Sequence, residues 1–316
     1  MKRSILLVEL VCIGAVSLVF GAQQPRGGGQ QAPRIIEVEK LRDNLFVLKG
    51  GGGNSTAFIT STGVVVVDAK NPGWGQPLLD KIKELTNKPV TTLINSHTHG
   101  DHVSGNVDFP ATVDIIVQEN TKTNMGKMLP TSVAQDQARP AQTIFQANNG
   151  RGLPKRTFKD RLKLFKSADE VDVYYFGRGN TDGDAWVLFP SLGILCAGDV
   201  FSGKNIPLLD SNNGGSAVGM ADSLQKAYDT FKNRNVATII TGHSTQMTMA
   251  DLKEYAELNR EFLNDMRAAK KAGKSVDEIA ATWKIPAKYA GYAPPDPNRL
   301  KNNTRLAYAE LGGTPK

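Results

Sequence analysis

Three of the chain's four histidines lie within one six-residue stretch, directly after an apolar run. In "INSHTHGDHVSGN", His97 and His99 stand two residues apart, and Asp101 and His102 follow Gly100. Alternate side chains of an extended segment share a face, so His97 and His99 can point at one metal ion while Asp101 and His102 reach a second. Imidazole and carboxylate groups are among the ligands that zinc takes in proteins. The spacing therefore predicts a metal site with room for two ions.

A further candidate ligand follows an apolar run elsewhere in the chain. His243 comes after "VATIITG". An isolated histidine is usually an ordinary core or surface residue, but three clustered histidines and a fourth behind another strand-like run favour metal binding. Bound zinc lowers the pKa of its water to about 7 and polarises a carbonyl, so no serine or cysteine nucleophile is needed. These residues favour a zinc-dependent hydrolase in which metal-bound hydroxide attacks a carbonyl.

The set of motifs resembles that of the metallo-β-lactamase superfamily. "HTHGDH" is similar to the HxHxDH signature of that family. The family's other landmarks are also in place and in order, with Asp68 ending "VVVVD", then "GRGNTDGD", "CAGD" and "TGHS". The resemblance covers residues 35–244. It implies an α/β fold, a four-layer αβ/βα sandwich whose two sheets pack face to face, with metals held by loops at one edge.

The resemblance also implies which residues hold the metals. The first site would consist of His97, His99 and the residue at position 180. The second site would consist of Asp101, His102 and His243. Asp199 would bridge the two sites, and Asp101 would also orient the attacking hydroxide as the catalytic residue. Asp68 and Thr181 would hold the ligands in their geometry.

Position 180 departs from the family pattern, because Asn180 stands where the family has its third histidine. An amide oxygen is neutral and a weaker zinc ligand than imidazole. The sequence therefore predicts one tightly bound zinc at the second site and a labile zinc at the first. Asn180 could equally serve a turn beside Gly179, since asparagine tolerates left-handed backbone.

The expected substrate is a small molecule with an amide, lactam, ester or thioester carbonyl, a β-lactam being one candidate. Lys204, Asn212 and Asn213 lie just beyond Asp199 and are candidate substrate-binding residues. The alternative is a metal-binding family member whose catalysis is weakened or lost because Asn180 replaces a histidine ligand.

Composition bounds the remaining function classes. The chain has 316 residues, of which 40% are hydrophobic and 22% charged, which suffices for a sizeable core. The net charge of +7 is mild. The basic residues between Lys122 and Lys166 lack interleaved stacking aromatics, so nucleic-acid binding is not expected.

The amino-terminal segment predicts export. Lys2 and Arg3 precede an apolar run that ends at "GA", so residues 1–22 are typical of a secretory signal peptide. An uncleaved anchor is the alternative, but the run is short and contains Glu9. Residues 23–33 predict a flexible leader. We therefore expect a periplasmic or secreted protein without stable membrane insertion, in which Cys196 is a buried apolar residue rather than half of a disulfide.

Periodicity gives the coarse organisation. Short β-rich runs lie between Ile35 and Ser96 and between Arg161 and Gly242, with helices predicted near 76–87, 221–233, 249–272 and 275–283. "SVDE" predicts a capping box at the start of the last helix. We expect a metallo-β-lactamase-like domain at 34–248 and a helical extension packed on it at 249–316. Residues 121–156 are polar and predicted to form a loop, either a lid or substrate wall or a passive insertion.

Overall fold

The computed structural model describes residues 34–133 and 142–312. The predicted signal peptide and leader lie outside the described residues. Within the described ranges, no helix has the length and apolar character needed to cross a membrane.

The first half of the chain forms a seven-stranded sheet with its strands in chain order. Strands β1 to β4 are an antiparallel meander, and β4 to β7 are parallel to one another. The strands are β1 (Glu37–Arg42), β2 (Leu45–Lys49), β3 (Ser55–Ile59), β4 (Val64–Val67), β5 (Val90–Ile94), β6 (Asp114–Gln118) and β7 (Arg156–Phe158).

The second half forms a five-stranded sheet in the order β12-β11-β10-β9-β8. Only the β11–β12 pair is parallel within it. Its strands are β8 (Arg161–Leu164), β9 (Val171–Tyr175), β10 (Ala185–Phe189), β11 (Ile194–Gly198) and β12 (Thr238–Thr241).

Eight helices accompany these strands in the described part of the chain. They are α1 (Gly75–Leu85), α2 (Gly100–Val103), α3 (Glu119–Met125), α4 (Ile144–Ala147), α5 (Ala217–Phe231), α6 (Met249–Lys271), α7 (Val276–Thr282) and α8 (Pro297–Glu310). Ser275 and Glu278 form the predicted capping box of α7. Most of α3 and all of α4 lie within residues 121–156, for which the sequence predicted a loop, so that prediction was wrong where the two ranges overlap.

The two sheets pack face to face and helices cover their outer faces. Alternate residues of both sheets meet in one buried cluster, where the rings of Phe58 and Phe189 lie 5.0 Å apart edge to face. The other face of the first sheet packs on Leu78 and Ile82 of α1. The other face of the second sheet packs on α5 and the carboxyl-terminal helices. This confirms the predicted four-layer αβ/βα sandwich.

Helices α6 to α8 share the apolar cluster that covers the second sheet. Helix α8 also contacts the chain just ahead of Asp210, because Asn302 Nδ2 donates to the Leu209 carbonyl at 2.8 Å and Asn303 Nδ2 donates to the Pro207 carbonyl at 2.8 Å. The described residues from Arg34 onward form one compact unit.

Cys196 lies between the sheets, and its reactivity can be predicted. Its Sγ is 3.3 Å from Thr56 Oγ1, and burial raises the pKa of the thiol to about 12. Because the thiolate is the reactive form, we expect no labelling of the folded protein by a thiol reagent near pH 8 and full labelling after unfolding. A Cys12→Ser chain leaves Cys196 as the single thiol for this measurement. Rapid labelling of the folded chain would contradict the burial.

Candidate metal centre

The candidate ligands meet because three strands end at the same edge of the sandwich. His97, His99, Asp101 and His102 follow β5 of the first sheet, whereas Asp199 follows β11 and His243 follows β12 of the second. The carboxyl ends of parallel strands are a common place for ligand sites in α/β proteins. A Cβ on Gly242 would overlap the carboxylate of Asp199, so glycine is needed for the turn after β12 to come this close.

The first group of possible ligands consists of His97, His99 and Asp199. Nε2 of His97 lies 2.9 Å from Nδ1 of His99 and 3.7 Å from Oδ2 of Asp199. All three residues are buried. Their ligand atoms converge on one point inside the edge of the sandwich.

The second group consists of Asp101, His102 and His243. Nε2 of His102 lies 3.3 Å from Nε2 of His243 and 3.6 Å from Oδ2 of Asp101. Nε2 of His243 lies 3.2 Å from the same Asp101 oxygen. His102 is buried, whereas the side chains of His243 and Asp101 are 41% and 27% exposed. The centre is therefore open to solvent on the side of the second group.

Asp199 contacts both groups through its carboxylate. Besides its approach to His97, Oδ1 lies 3.4 Å from Nε2 of His102, and Oδ2 lies 3.3 Å from Nε2 of His243. This is the position that a bridging carboxylate would need.

The spacing of these atoms fits divalent cations. A tetrahedral zinc with bonds of about 2.0–2.1 Å to nitrogen holds its donor atoms about 3.3 Å apart. In the first group Nε2 of His97 lies 2.9 and 3.7 Å from its two partner atoms, in the second group the three separations run from 3.2 to 3.6 Å, and within each group all donor atoms lie within 4.8 Å of one another. Oδ1 of Asp199 is buried and has no hydrogen-bond donor among the described residues. These residues could therefore hold a metal ion between the imidazole nitrogens of each group.

Electrostatics differ between the two groups of the centre. Burial opposes protonation of His102 and His243, but neighbouring carboxylates outweigh it: Asp68 and Asp199 raise the pKa of His102 well above its usual value, and Asp101 and Asp199 raise that of His243 to about 9. Burial lowers the pKa of His97 well below its usual value. Burial opposes ionisation of Asp199, but the neighbouring His102 and His97 outweigh it and hold the pKa of that carboxyl well below its usual range.

Asp68 fixes two of the imidazoles. Its carboxylate accepts from the backbone N–H and the hydroxyl of Ser96, both at 2.7 Å, and from Nδ1 of His102 at 2.8 Å. Ser96 Oγ lies 3.0 Å from Nδ1 of His97 and, because its proton goes to Asp68, accepts from that nitrogen. Both rings therefore keep Nε2 free to bind metal, which is how outer contacts orient metal-binding histidines. Sequence reasoning named Asp68 but missed Ser96.

Asp210 fixes the third imidazole. Its Oδ2 lies 2.8 Å from Nε2 of His99, which leaves Nδ1 of that ring for a metal. The carboxylate also accepts from the backbone N–H of Ser132 at 2.9 Å and from Nδ2 of Asn213 at 2.6 Å. Asp210 was not among the predicted site residues; the only sequence indication was its place at the start of the loop "DSNNGGS".

The three candidate substrate-binding residues have structural partners. The amide of Asn213 donates to Asp210, and Nδ2 of Asn212 donates to the Pro130 carbonyl at 3.0 Å. Nζ of Lys204 lies 3.1 Å from carboxylates of Asp251 and Glu254 on α6. A role toward substrate stays a prediction for all three.

A model of the metallo-beta-lactamase superfamily matches residues 48–243, which is more than half of the chain. The chain belongs to the metallo-β-lactamase superfamily.

Individual relatives within this superfamily differ in their activities. A metallo-beta-lactamase type 2 from Elizabethkingia meningoseptica is 26% identical over 81% of this chain and 97% of its own length. A hydroxyacylglutathione hydrolase from Nostoc punctiforme is 26% identical over 77% of this chain and 82% of its own.

Two solved structures share the superfamily fold. The metallo-beta-lactamase from Pontibacter korlensis has a TM-score of 0.56 and 19% identity, covering 72% of this chain and 99% of its own. The inverting sec-alkylsulfatase Pisa1 from Pseudomonas sp. has a TM-score of 0.70 and 16% identity, covering 87% of this chain but 50% of its own. At these identities the likeness shows the fold alone.

Asn180 is the residue predicted to depart from the superfamily pattern. It is fully buried, and neither Oδ1 nor Nδ2 has a hydrogen-bond partner among the described residues. Its carbonyl accepts from the Asp210 N–H at 2.8 Å, which ties it to the residue that holds His99. A buried amide without partners costs about 1–3 kcal/mol, which contact with a metal or a water would relieve.

Thr181, predicted to hold ligand geometry, contacts Asp184 instead of a ligand. Its hydroxyl donates to Oδ1 of Asp184 at 2.6 Å, and its N–H donates to the same carboxylate. Burial raises the pKa of Asp184 to about 7. Thr181 and Asp184 thus shape the turn that carries Asn180.

Proposed function

We propose that this chain is a zinc-dependent hydrolase that cleaves a carbonyl compound, such as an ester, thioester or lactam, and acts on a small molecule outside the cytoplasm. The observation that carries the proposal is the position of the Asp199 carboxylate. It belongs to the first ligand group with His97 and His99, and it also lies within 3.4 Å of His102 and His243 of the second group. The proposal is supported by membership of a superfamily in which the relatives include a metallo-beta-lactamase and a hydroxyacylglutathione hydrolase.

The residues divide the work as follows. His97, His99 and Asp199 would hold one zinc, and Asp101, His102 and His243 would hold the other. Zinc bound there would supply hydroxide near neutral pH and polarise the substrate carbonyl. Asp68, Ser96 and Asp210 hold the imidazoles of His97, His99 and His102, which keeps that part of the site preorganised.

Asp101 is the chain's own group at the reacting side. Its carboxylate is partly exposed and lies 3.2 Å from Nε2 of His243. It can accept a hydrogen bond from the attacking water and so aim the water's lone pair at a carbonyl that enters from the open side. The side chains of Asp101 and His243 therefore mark where the substrate approaches.

A metal-binding member with weakened catalysis is the second candidate. The observation that favours it is the buried amide of Asn180, which has no hydrogen-bond partner among the described residues. The family resemblance predicts an imidazole at this position. It predicts zinc binding without turnover.

A substrate panel tests the proposal and separates the two candidates. Zinc-reconstituted protein is assayed with nitrocefin, an aryl ester and a thioester, with and without dipicolinate. We expect turnover of at least one substrate, its loss with the chelator and its return with added zinc, with His97→Ala protein as the inactive control. Turnover that survives the chelator would overturn the zinc mechanism. Tight zinc binding with no turnover of any carbonyl substrate would favour the second candidate.

A further inference from the structure

His243 must be brought to Asp101 and His102 from the other sheet, and a short glycine-rich segment lies between them. This segment is Gly51–Asn54, which connects β2 to β3 and is called the glycine clamp below. It was not part of the sequence-predicted site. Its contacts reach Asp101, His102 and the residues on either side of His243.

One end of the clamp packs on Asp101 and His102. The N–H of Gly53 donates to the Asp101 carbonyl at 3.3 Å. A Cβ on Gly53 would overlap Cε1 of the His102 ring, and a Cβ on Gly52 would lie 2.7 Å from the Asp101 carbonyl. The clamp backbone thus touches the ligands directly, and side chains at these positions would push them away.

The other end of the clamp holds the turn that carries His243. Asn54 donates its backbone N–H to the Gly242 carbonyl at 2.7 Å. Its side-chain Nδ2 donates to the Thr241 carbonyl at 3.0 Å and to the Ser244 carbonyl at 2.9 Å. These three bonds fix the backbone on both sides of His243, whose own side chain is partly exposed.

Lys70 anchors the clamp from behind. Its side chain is fully buried, and Nζ donates to the Gly53 carbonyl and the Leu48 carbonyl, each at 2.6 Å. The Asn71 N–H donates to the Gly51 carbonyl at 2.9 Å. The clamp is therefore tied to the segment after β4, which also carries Asp68.

We propose that the glycine clamp is the positioning device of the second metal site, with Gly53 seating the His102 ring and Asn54 setting the distance of His243 from it. Outer contacts of this kind typically change metal affinity 10–100-fold when they are removed. The inference rests on the zinc binding of the proposed function. Substitution of Gly53 or Asn54 should change the zinc affinity of the second site and leave that of the first site unchanged.

Two variants test the clamp. Each has a matched control outside the clamp, near the end of β3 that is remote from the metal centre. Asn54→Leu removes the amide donors at similar volume, and Asn44→Leu removes the amide that donates to the Ile59 carbonyl at 3.3 Å. Gly53→Ala puts a methyl against His102, and Gly63→Ala puts one against the Thr91 side chain. Gly53→Ala carries the test if Asn54→Leu fails to fold.

The measurement is a zinc titration in which NMR monitors the signals of the imidazole nitrogens. The chain has only four histidines, so their signals can be resolved. In both clamp variants, the zinc concentration that shifts the His102 and His243 signals should rise about 10–100-fold, while that for His97 and His99 stays unchanged. The control variants should titrate like the unchanged chain.

The outcomes separate the clamp from the proposed function. Clamp variants that titrate like their controls, or that weaken all four histidines equally, would show that the clamp does not position the second site. Histidine signals of the unchanged chain that ignore zinc would overturn the proposed function, and the clamp with it.

Discussion

Asp101→Ala should abolish hydrolysis, with kcat/KM falling about 10³-fold or more, because the change removes both a metal ligand and the group that aims the attacking water. The measurement is kcat/KM on the best substrate of the panel at saturating zinc. Asp43→Ala is the matched control, since the side chain of Asp43 is 100% exposed and pairs only with Lys40 among the described residues. Turnover retained in the Asp101→Ala protein would remove this residue from the catalytic role.

Asn180→His should strengthen the weaker of the two zinc sites by about 10–100-fold, because imidazole is a better zinc ligand than a neutral amide. The measurement is zinc binding in competition with a chromophoric chelator, which reports each dissociation constant. The unchanged chain is expected to hold one zinc tightly and one weakly.

Asn180→Ala is the control for that gain, since it removes the amide without supplying a ligand. It should leave the tight site as it is and the weak site no stronger. Two tightly held zincs in the unchanged chain would contradict the assignment, as would an Asn180→His protein whose weak site does not change.

Periodicity predicted a layered α/β architecture with the ligands directly after apolar strands, and the family resemblance predicted the sandwich with its metals at one edge. When a ligand directly follows a buried strand, the position of that strand in the sheet fixes the position of the ligand. His243 and His102 are far apart in the chain, and their nearness followed from the family resemblance, not from local pattern. The structure places their Nε2 atoms 3.3 Å apart.

The contacts that hold the ligands could not be predicted in the same way. Asp210 and Asn54 lie in loops, and their partners belong to distant segments whose approach is a tertiary property. Lys70 carries no indication in the sequence that its side chain is buried. Of the missed residues, Ser96 was the easiest to predict from the sequence, since it directly precedes His97.

The helix predictions show a similar limit. Helix α5 begins at Ala217, earlier than the predicted 221, because the Ser216 side chain caps the Gly219 N–H. Helix α8 was missed, although Asp296 as N-cap followed by Pro297 at the first position is a known start pattern. The polar residues of this segment and the prolines before it obscured the apolar periodicity that indicates a helix.

The most direct test of the central claim is a crystal structure of the zinc-loaded chain with an anomalous difference map at the zinc edge. We expect the strongest peak about 2.0–2.2 Å from Nε2 of His102, Nε2 of His243 and the Asp101 carboxylate, with a weaker peak beside His97, His99 and Asp199. A map with zinc bound elsewhere, or with the His243 ring turned away from the other three histidines, would contradict the claim.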